Sequence, residues 1–193
     1  MKKLFFITAL FVALTAFTTL SGVWKSDAPH SQLGFTVTHM GIADISGTFN
    51  DFEITVTSQK PDFSDAKFEL SGKIASIDTR VEARNNHLKT ADFFDAEKYP
   101  TFIFKSTSIK NLGGKKYKLT GDLTLHGITK AVTLDLLYRG TIENPTSKKQ
   151  TAGFQLAGTI KRTDFGIGTK FPSAMLSDEV KIKADTEFVE GEK

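Results

Sequence analysis

Between residues 33 and 188 the chain keeps returning to an alternation of apolar and polar positions. Leu33, Phe35 and Val37 alternate with Gly34, Thr36 and Thr38, and Phe68 and Leu70 sit between Lys67, Glu69 and Ser71. Leu119, Leu123 and Leu125 alternate with Lys118, Thr120, Asp122 and Thr124, and Val180 and Ile182 with Lys181 and Lys183. A period of two sends successive side chains to opposite faces of a strand. Here one face is large and apolar and the other is polar. That is the pattern of an antiparallel sheet that encloses an apolar interior and turns its other face to water.

Turn residues cut this pattern into segments. A short lead-in strand is predicted at 24–28, ended by Pro29, then strands near 31–40, 45–58 and 65–78. Further strands fall near 101–110, 115–126, 130–142, 150–163 and 178–190, with an irregular stretch over 164–176. The segment 80–98 breaks the rhythm: Val81, Leu88, Ala91 and Phe94 recur at helical spacing. Thr79 and Glu82 have the spacing of a capping box, and Tyr99-Pro100 stops the helix. Eight or nine long sequential strands favour closure, which removes unpaired edges. The expected fold is all-β: a single antiparallel barrel of about eight strands with a short helical insertion near residues 80–98. The insertion would cover a sheet face or barrel end, as a lid or as a fixed plug. A barrel of this size is either just filled by side chains or holds one slender ligand.

The N-terminus adds a destination. Met1-Lys2-Lys3 before the apolar run Leu4 to Leu20 reads as a secretory signal peptide, residues 1–21, followed by one domain over 22–193. The alternative is a membrane anchor, for which 17 apolar residues are short. Residue 23 is Val where a lipoprotein would have Cys, so the expected location is periplasmic or secreted, without a lipid anchor. The chain has no Cys at all, which excludes disulfides, thiol chemistry and Cys-ligated metals. Removing residues 1–21 takes away Lys2 and Lys3 and no acid, leaving 23 basic against 22 acidic residues. A domain so near neutrality has no electrostatic case for nucleic acid.

Thirteen of the 17 Phe residues lie beyond position 21. Phe has bulk and no polar atom, so this interior is a packed core or the wall of a greasy pocket. Gly47, Gly72, Gly121 and Gly158 fall in the apolar phase of their strands. They would leave inward vacancies, let the strands coil at barrel corners, or both. His39 and Arg162 share the inward phase at the ends of their apolar runs, hence near a rim where a polar head group could be met. Equally, Arg162 could pair with Asp78 or Asp164 and simply fix the rim. Signals for an enzyme are thin. His30, His39, His87 and His126 make no metal-binding spacing, and no nucleophile elbow, P-loop or dinucleotide motif occurs. No cofactor, metal or catalytic residue is expected.

Several segments together resemble the YceI-like family of secreted, polyisoprenoid-binding, lipocalin-like proteins. They include His30-Ser31 through His39, Gly47-Thr48-Phe49, Ser76-Ile77-Asp78-Thr79 and Arg84-Asn85-Asn86-His87-Leu88. They continue with Asp92-Phe93-Phe94-Asp95 to Tyr99-Pro100, Leu119 through Lys130, Arg162-Thr163-Asp164-Phe165-Gly166 and Leu176 through Val180. The resemblance implies an eight-stranded barrel whose elongated pore holds a polyprenyl chain, such as a quinone tail or a polyprenyl alcohol or phosphate. It also implies export and, in some members, dimers; transient contact with a membrane fits a lipid carrier. The expected lining is Phe35, Val37, Phe49, Phe68, Leu70, Phe102, Phe104, Leu123, Leu125, Leu134, Leu136, Phe154 and Leu156, with His39 and Arg162 at the rim. Two other readings compete: an envelope enzyme using His39 and Arg162 on a polyprenyl substrate, and a filled barrel serving as a structural or partner-binding module.

Overall fold

The structure, a computed structural model, describes residues 22–191; the expected signal segment lies outside them. Ten strands follow in order: β1 Gly22–His39, β2 Ala43–Phe49, β3 Phe52–Ser58, β4 Lys67–Lys73, β5 Ile77–Asp78, β6 Thr101–Gly113, β7 Lys116–Leu125, β8 Ile128–Glu143, β9 Gln150–Lys161 and β10 Leu176–Glu190. The helix α1 spans Glu82–Leu88, and 3-10 turns occupy Ile74–Ser76 and Arg162–Phe165. Every ladder is antiparallel, and β1 pairs with β10, which closes the sheet.

Eight staves build the barrel, because β2 and β3 are halves of one bent strand. Phe49 opposes Leu33 and Ser58 opposes Gly22, so both halves run along β1. The bend comes at Asn50-Asp51. β4 and β5 follow the same bend on the next stave, with Gly72 opposite Phe52 and Asp78 opposite Thr48.

The structure corrects the sequence reading in three places. Pro29 does not end a strand: β1 runs through it, and the proline sits in the irregularity between Ser26 and Ser31, where no ladder hydrogen bond is needed. The strands expected at 45–58 and 65–78 are kinked. And Thr79 is not a helix cap. The helix starts after Val81, in extended conformation, with no side-chain cap. Thr79 is buried instead, its hydroxyl donating to Asn85 Oδ1 at 2.6 Å and accepting from Arg84 Nε at 2.8 Å.

One end of the barrel is plugged. The loop between β3 and β4 turns Phe63 inward, where it packs on Trp24, Tyr138 and Phe154 with ring centroids 5.3, 5.1 and 5.0 Å away. Phe63 holds a left-handed backbone, φ 58°, to make that turn. The loop is tied by Asp65, which accepts from the Ser58 hydroxyl and the Gln59 and Lys60 amides. Partial burial would raise the Asp65 pKa, but these donors outweigh it and hold the carboxyl below its usual value. The Tyr117 hydroxyl donates to the Asp62 carbonyl. The opposite end is roofed by α1 with the residues after it and by the long β9–β10 connection.

Candidate functional site: an apolar cavity under a latched roof

Between plug and roof lies a cavity of about 440 Å³, within the ~300–1,000 Å³ typical of small-molecule sites. Strand alternation builds its wall. All fifteen residues expected to line a ligand site face it: Phe35, Val37, His39, Phe49, Phe68, Leu70, Phe102, Phe104, Leu123, Leu125, Leu134, Leu136, Phe154, Leu156 and Arg162. The wall also takes Val180, Ile182 and Phe188 from β10, whose alternation was equally legible. The roof contributes Arg84, His87, Leu88, Phe93, Phe94, Ile167, Phe171 and Met175. Those residues lie in the helical and irregular segments, where no period of two marks an inward side chain.

The inward glycines do not leave vacancies; a neighbouring side chain lies over each. A Cβ would meet the Phe35 ring at 2.5 Å from Gly47, the Phe102 ring at 2.2 Å from Gly72, the Phe104 ring at 2.5 Å from Gly121 and Leu134 Cδ2 at 2.3 Å from Gly158. The glycines let bulky neighbouring side chains lie flat against the wall, so the room each glycine frees is taken by a neighbour.

Arg162 is also placed differently from expectation. It is 4% exposed and pairs with neither Asp78 nor Asp164. Its Nε donates to the Ser177 carbonyl, Nη1 to Ile167 and Gly168, and Nη2 to Phe171 and Leu176. Five N–H groups meet five carbonyls, so the guanidinium is spent on pinning the β9–β10 connection and has no donor left for a ligand. His39 stands at the mouth, exposed.

The two halves of the roof meet across the mouth. Phe93 stacks on Phe171 at 4.9 Å and 15°, and Asp92 accepts from Lys170 Nζ at 2.6 Å. His87 adds edge contacts to both rings and approaches Asp92. The Lys170 bond, then the His87 bond, hold the Asp92 carboxyl below its ordinary range.

Among the described residues no Asp or Glu lines the cavity; its ionisable wall residues are His39, Arg84, His87 and Arg162. Arg84 is anchored through Nε to the Thr79 hydroxyl and through Nη2 to the Thr79 carbonyl. Among the described residues its Nη1 has no partner. Deeper in, the buried Thr186 hydroxyl has none either.

One cluster lies outside the cavity. Asp27, His30 and Glu187 bring donor atoms within 4.8 Å of one another, a grouping hidden in sequence because Glu187 comes from β10. Asp27, by hydrogen bond and charge, and Glu187, by charge, raise the His30 pKa, which favours an ion pair over a neutral metal ligand. The three are exposed or half-exposed.

A small antiparallel barrel, plugged at one end and with an apolar cavity roofed at the other, has the architecture of barrels wide enough for one slender ligand. Comparison with known proteins narrows the class. Residues 24–188 match the YceI-like domain, and the chain belongs to that family. It is 39% identical over 166 residues to a UPF0312 protein of Photorhabdus laumondii, covering 85% of each chain. The solved Burkholderia cenocepacia BcnA superposes with a TM-score of 0.74 at 27% identity, over 84% of this chain and 98% of that one. A polyisoprenoid binding domain from Saccharophagus degradans, described as implicated in plant cell wall breakdown, shares the fold with a TM-score of 0.64 at 15% identity, over 87% and 98%.

Proposed function

We propose that this protein binds the long apolar chain of an isoprenoid lipid inside the barrel and acts as an exported carrier or scavenger. The observation that carries the reading is the cavity itself: strand phase, roof and plug all turn hydrocarbon toward one interior space, partly open at the mouth, with no carboxylate among the described residues of its wall. Membership of the YceI-like family supports it, and so does the ligand class in the description of the Saccharophagus domain. Each methylene withdrawn from water contributes roughly 0.8 kcal/mol, less the cost of immobilising a flexible tail. A tail of several isoprene units therefore needs no strong polar contact. The polar head would sit at the mouth beside Arg84, His87 and His39.

Two observations weigh against the competing readings. The His39/Arg162 pair has lost its chemical partner, since every Arg162 N–H is engaged with a backbone carbonyl. A filled barrel has no use for 440 Å³ of interior space.

The experiment is a chain-length series. Delipidated protein is titrated with prenyl alcohols of two to eight isoprene units. Affinity should climb with each unit until the cavity is full and then level off. Affinity independent of length would overturn the reading.

A further inference from the structure

The ladder between β8 and β9 is incomplete. It runs from Glu143/Gln150 to Asp135/Ala157 and stops, although β8 begins at Ile128 and β9 continues to Lys161. Carried on in the same register, Thr133 would oppose Thr159, and Val132 would oppose Ile160. Both segments keep their other neighbours: β8 stays paired with β7 as far as Leu125/Ile128, and β9 with β10 as far as Glu179/Lys161. The wall is therefore split on the mouth side of Asp135/Ala157.

Backbone N–H and C=O groups along such edges require water or a ligand. A recess of about 420 Å³ lies at the split, walled by β8 from Lys130 to Thr133, by β9 from Thr159 to Lys161, and by Asp164, Phe165 and Glu179. Val132 and Ile160 line the inner cavity as well. Val132 and Ile160, with the buried Phe165 ring beside them, are thus what separates recess from interior. The split ends where Leu134 folds over Gly158 and the ladder resumes.

The roof offers a harder route. Its β9–β10 half is held by five hydrogen bonds from one buried guanidinium and is latched to the other half by Phe93/Phe171 and Asp92/Lys170. Lifting it breaks all of these. Opening the split takes rotamer changes at Val132 and Ile160 and a shift of the Phe165 ring, with the Arg162 hydrogen bonds left in place; side-chain rotations of this kind are fast motions.

We propose that the β8–β9 split is a side entrance through which the apolar chain of the ligand enters the barrel, between Val132 and Ile160, while the roof stays closed. The proposal rests on the lipid-binding reading of the cavity. Lys130 and Lys161, with Asp164 and Glu179, stand at the rim of the entrance and keep a hydrated edge outside the apolar wall.

The absence of native cysteine makes the test clean. In the double variant Thr133→Cys/Thr159→Cys a disulfide would staple the split from outside. Loading of delipidated protein with geranylgeraniol is followed over time by native mass spectrometry, oxidised and reduced. The oxidised staple should load at least about tenfold more slowly, recover on reduction and reach the same final occupancy. A staple across the paired part, Asp135→Cys/Ala157→Cys, should leave the rate unchanged. Val132→Ala/Ile160→Ala, which thins the gate, should load faster than wild type and serves if the staple does not form. Equal rates in oxidised and reduced staple, or an unchanged rate in the thinned gate, would overturn the side entrance while leaving the lipid-binding reading in place. Wild-type protein that takes up no geranylgeraniol would overturn both.

Discussion

Phe104 lies flat across Gly121: a Cβ on that glycine would come within 2.5 Å of the Phe104 ring and 2.4 Å of the Lys105 carbonyl oxygen. The neighbouring stave is thus fitted to the missing side chain, and the backbone contact cannot move aside. At Gly158 the sole contact below 3.4 Å is the tip of Leu134, which can change rotamer. Gly121→Ala should therefore cost about 1–3 kcal/mol of stability, as overpacking does. Gly158→Ala should cost less. Urea denaturation of the two variants checks the order; equal losses would contradict it.

Arg162 should behave as a structural keystone. Removing it leaves five carbonyls at the roof without their donor, and each buried unsatisfied group costs ~1–3 kcal/mol. Arg162→Met should lose at least about 3 kcal/mol, with hydrogen exchange accelerating first over residues 166–176. Arg162→Lys should not rescue it, because a compact ammonium cannot span five acceptors arranged around a planar fork. A fully stable Arg162→Met protein would show that the network is decorative.

The outward half of the latch should respond to pH. Lys170 and His87 depress the folded-state pKa of Asp92 below its ordinary 3.8. A depressed carboxylate contributes its stabilisation in full above the unfolded pKa and loses it as pH falls through the lower folded value. Roof protection factors, with intrinsic amide exchange divided out, should thus be flat near neutrality and fall in the acid range below 3.8. Asp92→Asn should show the lower protection of the acid limit at every pH, so that variant and wild type differ near neutrality and converge in acid. The pair is exposed, so global stability should barely change.

On the lipid-binding reading, the head-group role that sequence phase suggested for Arg162 passes to Arg84, which lines the cavity. Its unpartnered Nη1 is the guanidinium group at the cavity with donors to spare. Arg84→Gln should weaken binding of a polyprenyl phosphate by about tenfold or more, the worth of a hydrogen bond to a charged group, and leave the corresponding alcohol unchanged. An equal loss for both ligands would assign Arg84 to the roof's structure instead.

The strand phase made the barrel wall readable: Leu33-Phe35-Val37 and Phe154-Leu156 point inward as their alternation says. What sequence could not show is how an inward residue is used. Gly121 looked like space because the ring that lies over it is on another stave. Arg162 looked like a rim charge because its five acceptors are backbone carbonyls, and backbone carries no residue-type signal. The roof was half legible: the insertion near 80–98 was expected to cover a sheet face or barrel end, but its pairing with the β9–β10 connection was not, because Phe93 and Phe171 belong to segments far apart in sequence, neither with a strand's period, and meet across the mouth.

The most direct test of the central claim is native mass spectrometry of the protein purified without detergent, followed by organic extraction and lipid analysis. A single stoichiometric adduct that extracts as a polyprenyl species is the predicted result. A bare mass that persists after incubation with polyprenyl quinones, alcohols and phosphates would contradict it.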